Sequence, residues 1–214
     1  MKIGILGTGD VGRTLANAFL ATGHQVMMGS REAANGKALA WAKQARGRGR
    51  CIDRHFRGRG EIRGRGSAGG VVVRRRERAE AGGAQNLAGK VVDVINPLTS
   101  GSRGLELAIG HTASDGEWVQ RRLPGARAIK AFNSVGYARM FKPEFPDGPP
   151  DMFICGNDDA AKATVTGILT SFLGSTIDIG GIEGSRVLEP LCVLWLDYAM
   201  RAKSRAHAFK LLRK

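Results

Sequence analysis

The chain opens on a short apolar run, KIGILG, closed by Gly7. Such a run is the pattern of a strand buried on both faces of a parallel sheet. The next stretch, DVGRTLANAFLATG, changes period. Val11, Leu15, Ala18 and Phe19 recur at helical spacing, and Gly23 suits the stop. HQVMMGS reads as a second strand and REAANGKALAWAKQA as a second helix, with Gly36 weakening its start. This strand–helix–strand–helix opening predicts a doubly wound sheet. The rhythm then breaks. From Arg46 to Gly70 neither period 2 nor period 3.6 survives, and only Val71–Val73 is strand-like. Order returns at NLAGKVVDVINPL, where Val91–Ile95 predict a buried strand. A short helix over DGEWVQRRLPG, strands at ARAIKAFN and DMFICG, a helix over DDAAKATVTGILTSFLG and a last strand at STIDIGG follow. A long amphipathic helix, EGSRVLEPLCVLWLDYAMRAKSRA, comes last, with Pro190 near its first turns. The predicted class is α/β: a doubly wound, mostly parallel sheet with a small C-terminal α/β extension.

Composition changes this picture in one place. With 214 residues and 43% hydrophobic content the chain is long and apolar enough for one cored domain with a small appendage. Its net charge of +14 would suggest an anionic partner. The charge is concentrated, however. Arg46–Glu80 holds twelve arginines against four acids, or eight of the fourteen net charges. The three cysteines, Cys51, Cys155 and Cys192, are odd in number and lack metal-type spacing, which fits a reducing cytoplasm and no metal. The first residues enter a strand directly, without a signal-peptide pattern, and no apolar run is long enough to span a bilayer.

The candidate chemistry lies in GTGDVG: Gly7, Thr8, Gly9, Asp10, Val11 and Gly12. This G-x-G-x-x-G follows a strand and opens a helix, the context that makes it a dinucleotide-binding fingerprint. Gly7 permits the tight turn, Gly9 lets a pyrophosphate approach the backbone, and Gly12 lets helix and strand pack closely. The pyrophosphate would sit on free N–H groups at the positive end of the helix dipole. The second strand ends in MMGSRE, where an NAD site usually carries an acid for the ribose 2′-hydroxyl. Ser30 can donate a hydrogen bond and Arg31 can pair with a 2′-phosphate, which points to NADP(H). The other reading makes Arg31 a solvated residue and gives the ribose to Glu32. No nucleophile–base pair stands out. His24, His55, His111 and His207 are scattered and are expected to be structural or exposed. That pattern suits hydride transfer, which needs positioning more than acid–base groups.

These residues together resemble the NADPH-dependent reductases of the deazaflavin coenzyme F420. The matching pieces are MKIGILGTGDVGRTLANAFLATGHQVMMGSRE, NLAGKVVDVINPL, AIGHTASDGEWVQRRLPGARAIKAFNSVG, PPDMFICGNDDAAKATV and LEPLCVLWLDYAM. The resemblance implies a Rossmann-type domain, hydride exchange between NADP(H) and coenzyme F420, and a homodimer. It implies that Asn96, Pro97 and the Asn133–Gly136 loop lie beside the nicotinamide. It also implies an NADP-binding domain over 1–150 and a substrate or dimerisation part over 151–214. Some relatives reduce other acceptors, so reduction of another small molecule stays open.

The Arg/Gly window departs from that family, which has there a VVVLA-type central strand, a Trp-containing loop and an Ala/Leu-rich helix. Arginine and glycine do not fill a buried central strand. Read one base later in GC-rich codons, the window regains Ala- and Leu-rich text with a Trp. The expectation is a frame-changed segment at about 46–82, with compensating changes near Gln44–Arg46 and Gly82–Gly83, leaving Arg46–Gly70 without ordered structure and the chain less stable or inactive. An Arg-Gly nucleic-acid-binding arm is the reading from a different class. It is disfavoured by a single aromatic, Phe56, and by the strand it would displace. A genuine inserted loop, with Val71–Val73 as the central strand, is the third.

Overall fold

A computed structural model describes residues 1–30, 35–45, 51–55, 70–73, 80, 82–89, 91–93, 96–102 and 104–213. Its main sheet contains β1 (Lys2–Leu6), β2 (Gln25–Ser30), β3 (Cys51–His55), β4 (Gly70–Val73) and β5 (Val91–Asp93). It is completed by β8 (Arg127–Lys130), β9 (Met152–Gly156) and β10 (Thr176–Asp178), while β6 (Leu98–Gly101) and β7 (Gly104–Leu107) form a separate hairpin. The order is β10-β9-β8-β5-β4-β1-β2-β3. All neighbours run parallel except β8 and β9. The predicted α/β, mostly parallel class therefore holds.

Among the described residues the helices are α1 (Asp10–Ala21), α2 (Gly36–Ala45), α3 (Ala84–Leu87), α4 (Asp115–Arg122), α5 (Asp159–Phe172) and α6 (Ser185–Arg201). Their starts follow from local chemistry. Asn35 Oδ1 accepts the Ala38 N–H at 3.1 Å, which makes Gly36 the first residue of α2. Ser114 Oγ accepts the Glu117 N–H at 3.2 Å and donates to Glu117 Oε2 at 2.8 Å at the start of α4, and Asp158 Oδ1 accepts from Ala161 N at 2.7 Å on α5. Alternation along the strands divides the core between two layers. Ile3, Ile5 and Ile129 face a cluster with Leu15, Phe19, Trp41, Leu169 and Phe172, from α1, α2 and α5. Leu6 and Ala128 face Leu87, Val119 and Ile182 on the other side. Ile5, Leu15, Ile154, Leu169 and Phe172 are essentially fully buried, each stabilising by about 1.5–3 kcal/mol relative to exposure.

The structure corrects the sequence reading at several points. Cys51–His55, inside the stretch expected to lack order, is a strand in register with β2, Val26 opposite Cys51 and Ser30 opposite His55. It lies at the sheet edge, where charged residues are tolerated and often useful. Val71–Val73 takes the central place, between β1 and β5. The β6–β7 hairpin was not anticipated. The last helix ends at Arg201 rather than Ala206, because Lys203 turns into the left-handed region at φ 47°. The predicted strand over Val91–Ile95 is described over Val91–Asp93.

Candidate functional site

Strands β1, β2, β4, β5 and β8 are mutually parallel, so the loops leaving their carboxyl ends emerge along one edge. The chain reverses its direction of winding between β1 and β4, and ligands of open α/β sheets bind outside the strand ends at such a switch point. The first loop out is Gly7–Gly9. Gly7 has φ 146°, in the region that favours glycine, and its N–H donates to Gly29 O at 3.1 Å. Gly9 is extended (φ −77°, ψ 180°) and caps α1 with no side-chain hydrogen bond, and a Cβ added there meets nothing within 4 Å. Gly12 is the reverse case, because an added Cβ would overlap Gly7 O. The three glycines thus have three different geometric reasons. Thr8 is half-buried and Val11 is buried, whereas Asp10 is exposed and pairs with Arg13 at 2.6 Å. Ser30 is buried at the end of β2, one residue beyond the Leu6–Gly29 pair, so it flanks the glycine turn. Arg31 and Glu32 lie outside the described residues.

Asn96 and Pro97 follow β5, and Asn133 follows the neighbouring β8, so these three gather at one part of the edge. Pro97 is buried and its carbonyl accepts from Ala108 N at 2.7 Å. Asn133 is buried and its Nδ2 donates to Leu188 O of α6 at 2.5 Å. The side-chain oxygens of Asn96 and Asn133 are both buried acceptors with no hydrogen-bond partner among the described residues. Such an acceptor costs about 1–3 kcal/mol while it stays unsatisfied. From Ser30 on β2 to Asn133 after β8 the edge runs across five strands, β2, β1, β4, β5 and β8. That distance is roughly 19 Å at strand spacing, so a ligand touching both ends must be elongated. Permissive glycines at one end and orphaned acceptors at the other fit a dinucleotide whose far end is a primary amide, as in nicotinamide.

What holds the second group in place is an ion pair that local sequence pattern does not reveal. Lys130, the last residue of β8, forms an ion pair with Glu189 of α6 at 2.8 Å, both side chains being about 2% exposed or less. Glu189 also accepts the N–H groups of Asp115 (3.0 Å) and Gly116 (3.1 Å), which start α4. Buried ions are costly unless paired and hydrogen-bonded, and this carboxylate has three partners. Gly116 permits the approach, because a Cβ there would overlap Ser185 Oγ. Two residues beyond Lys130, Phe132 is left-handed at φ 55°. A bulky residue holds that conformation at a cost of order 1–3 kcal/mol, and only where its surroundings over-determine it. One signal was available in the sequence. Glu189 falls on the buried stripe of α6, with Ser185, Leu188, Cys192 and Trp195, where a charge requires a partner. Beside this hub, Arg186 donates two hydrogen bonds to Glu117, at 2.5 and 2.9 Å, and they hold that carboxyl below its ordinary range against the opposing effect of burial.

Of the histidines, the His55 side chain lies outside the described residues, and the other three sit in structural or exposed positions. His24 meets the N-terminal amine at 3.1 Å, with burial foremost and that charge second in lowering its pKa. His111 is exposed, and His207 stacks on Trp195 at 4.5 Å between ring centroids. Among the described residues no cluster of metal-ligating side chains occurs, and no helix is long and apolar enough to cross a membrane.

Residues 2–52 match the family model described as NADP oxidoreductase, coenzyme F420-dependent. A solved structure from Arthrobacter sp. FB24, a candidate F420-dependent NADP-reductase, is 30% identical with a TM-score of 0.86, and the match covers 100% of both chains. Metalloreductase STEAP3 of Rattus norvegicus is 29% identical over 199 residues, 89% of this chain but only 36% of its own length. The chain therefore spans about a third of that curated relative. A reductive aminase from Aspergillus terreus, solved with NADPH and ethyl-5-oxohexanoate, shares the fold at 20% identity and a TM-score of 0.57, over 94% of this chain and 62% of that one.

Proposed function

We propose that this chain, which belongs to the family of coenzyme F420-dependent NADP oxidoreductases, exchanges a hydride between NADP(H) and the deazaflavin coenzyme F420. The observation that carries the reading is the glycine turn: a left-handed Gly7, an open Gly9 and a Gly12 with no room for a Cβ. In this reading the backbone N–H groups of Asp10, Val11 and Gly12 receive the pyrophosphate, and Thr8 lines the turn. Ser30 and Arg31 hold the 2′-phosphate by charge-assisted hydrogen bonds. Asn96, Pro97 and Asn133 hold the nicotinamide end. The bound nicotinamide supplies the transferable hydride. The chain's own task is to orient the ring and exclude water.

Residues 1–150 carry NADP(H) in this account, and residues 151–214 pair two copies. The outer face of α6 supports the pairing. Val187, Leu194 and Tyr198 are 66%, 56% and 56% exposed and share one helical stripe, with Leu105 of β7 also exposed. The likeness to a metalloreductase supports a second reading, reduction of another small acceptor. Steady-state assays with NADPH or NADH against F420, a ferric chelate and a cyclic imine separate the two. Preference for NADPH and for F420 is the expected result. Turnover of the ferric chelate or the imine with F420 untouched would establish the second reading.

A further inference from the structure

The loop after β8 is fastened to α6 on both sides of its strained residue. Before Phe132, Lys130 is held by Glu189 at 2.8 Å, and after it Asn133 Nδ2 donates to Leu188 O at 2.5 Å. The two anchors on α6 are consecutive residues, and Glu189 is itself fixed by the Asp115 and Gly116 N–H groups. This arrangement removes a freedom that an asparagine normally has. An amide can present either its oxygen or its NH2 to a ligand. Here the NH2 donates to a backbone carbonyl, so the oxygen is left, buried and without a partner among the described residues.

We infer that Lys130 and Glu189 are positioning residues that, through the Asn133–Leu188 hydrogen bond, present Asn133 Oδ1 as an obligatory acceptor, making the site selective for a nicotinamide bearing a donor NH2. The inference rests on the proposed NADP(H) site and deepens it. A ring substituent without N–H donors leaves the buried oxygen unsatisfied, and lost pairing of buried polar groups is a strong source of discrimination. The oxygen is covered in the free chain, so ring entry displaces its cover. The left-handed Phe132 sets the direction in which Asn133 leaves the strand, and the ion pair resists its relaxation.

The test measures dissociation constants of the full chain for NADP+, for its 3-acetylpyridine analogue, which has a methyl ketone in place of the amide, and for 2′,5′-ADP, which lacks the ring. The parent is expected to bind NADP+ about tenfold or more tighter than the analogue, the scale of one buried hydrogen bond. Asn133→Leu should abolish that ratio. Glu189→Gln should reduce it severalfold, because the amide loses its fixed orientation, while 2′,5′-ADP binding stays unchanged. The double variant Lys130→Gln/Glu189→Gln, an uncharged amide pair across the same gap, should restore most of the ratio. It also decides the matter if Glu189→Gln alone does not fold. A parental ratio preserved in Asn133→Leu, or lost equally in Glu189→Gln and the double variant, overturns the inference and leaves the NADP(H) site standing. Failure of the parent to bind NADP+ overturns both.

Discussion

The glycine turn makes a prediction in which stability and binding move independently. Gly9→Ala places a methyl group where nothing lies within 4 Å, on a backbone that alanine adopts without strain. The lost freedom of the unfolded chain stabilises by about 0.4–1 kcal/mol. Alanine is also a poorer helix cap, at a cost of about 0.5–1 kcal/mol. The two nearly cancel, so the melting temperature should stay within about 3 °C of the parent for a chain of this size. NADPH binding should nevertheless fall at least about 30-fold, some 2 kcal/mol, because the methyl group would occupy the face proposed for the pyrophosphate's approach to the backbone. Gly12→Ala should do the reverse in order. Its methyl group collides with Gly7 O, and overpacking of this kind costs about 1–3 kcal/mol, so it melts roughly 3–10 °C lower even before cofactor is added. Differential scanning fluorimetry with and without NADPH, together with titration of binding, reads both effects. A Gly9→Ala protein that melts like the parent and binds NADPH equally well would refute the assignment of the loop.

Arg31→Ala is expected to weaken NADPH binding by about 1.5–3 kcal/mol and to leave NADH binding nearly unchanged; equal affinity of the parent for the two cofactors would remove the 2′-phosphate assignment. The depressed Glu117 carboxyl, stabilised first by Arg186, contributes stability that is complete above the ordinary glutamate range, about pH 4.3, and is lost as pH falls through its lower folded value. Glu117→Gln should therefore flatten the acid limb of a denaturation profile, and an unchanged limb would show that other carboxyls set it. Leu194→Glu/Tyr198→Glu should convert a dimer to a monomer in sedimentation velocity, whereas a parent that already sediments as a monomer would contradict the pairing through α6. A version with residues 46–82 read one base later should melt higher than the chain as written, since each large side chain regained by the core adds about 1.5–3 kcal/mol. Equal melting and turnover of the two forms would make the Arg/Gly window a native feature.

What was legible in the sequence was whatever depends on local period and on glycine. The opening βαβα unit followed from its repeating apolar positions, and each glycine of GTGDVG has the geometry that its place in the motif requires. The edge strand Cys51–His55 was not legible, because a strand paired on one side needs no apolar signature. The β6–β7 hairpin escaped for a similar reason, its residues being largely exposed. The Lys130–Glu189 pair is a tertiary fact. Lysine at the end of an apolar strand and glutamate on the buried stripe of a distant helix are each anomalous alone, and only the fold makes them partners. The left-handed backbone of Phe132 has no local signal at all, since phenylalanine disfavours that region.

The proposed reaction passes a hydride from NADPH to the deazaflavin on this chain. Mixing stoichiometric protein, NADPH and oxidised F420 in a stopped-flow cell and following both absorbances tests it directly. The expected result is loss of the two signals at one rate and in one-to-one amount, with the rate collapsing in Gly9→Ala at sub-saturating NADPH. NADPH that binds saturably while the deazaflavin absorbance stays constant would contradict it.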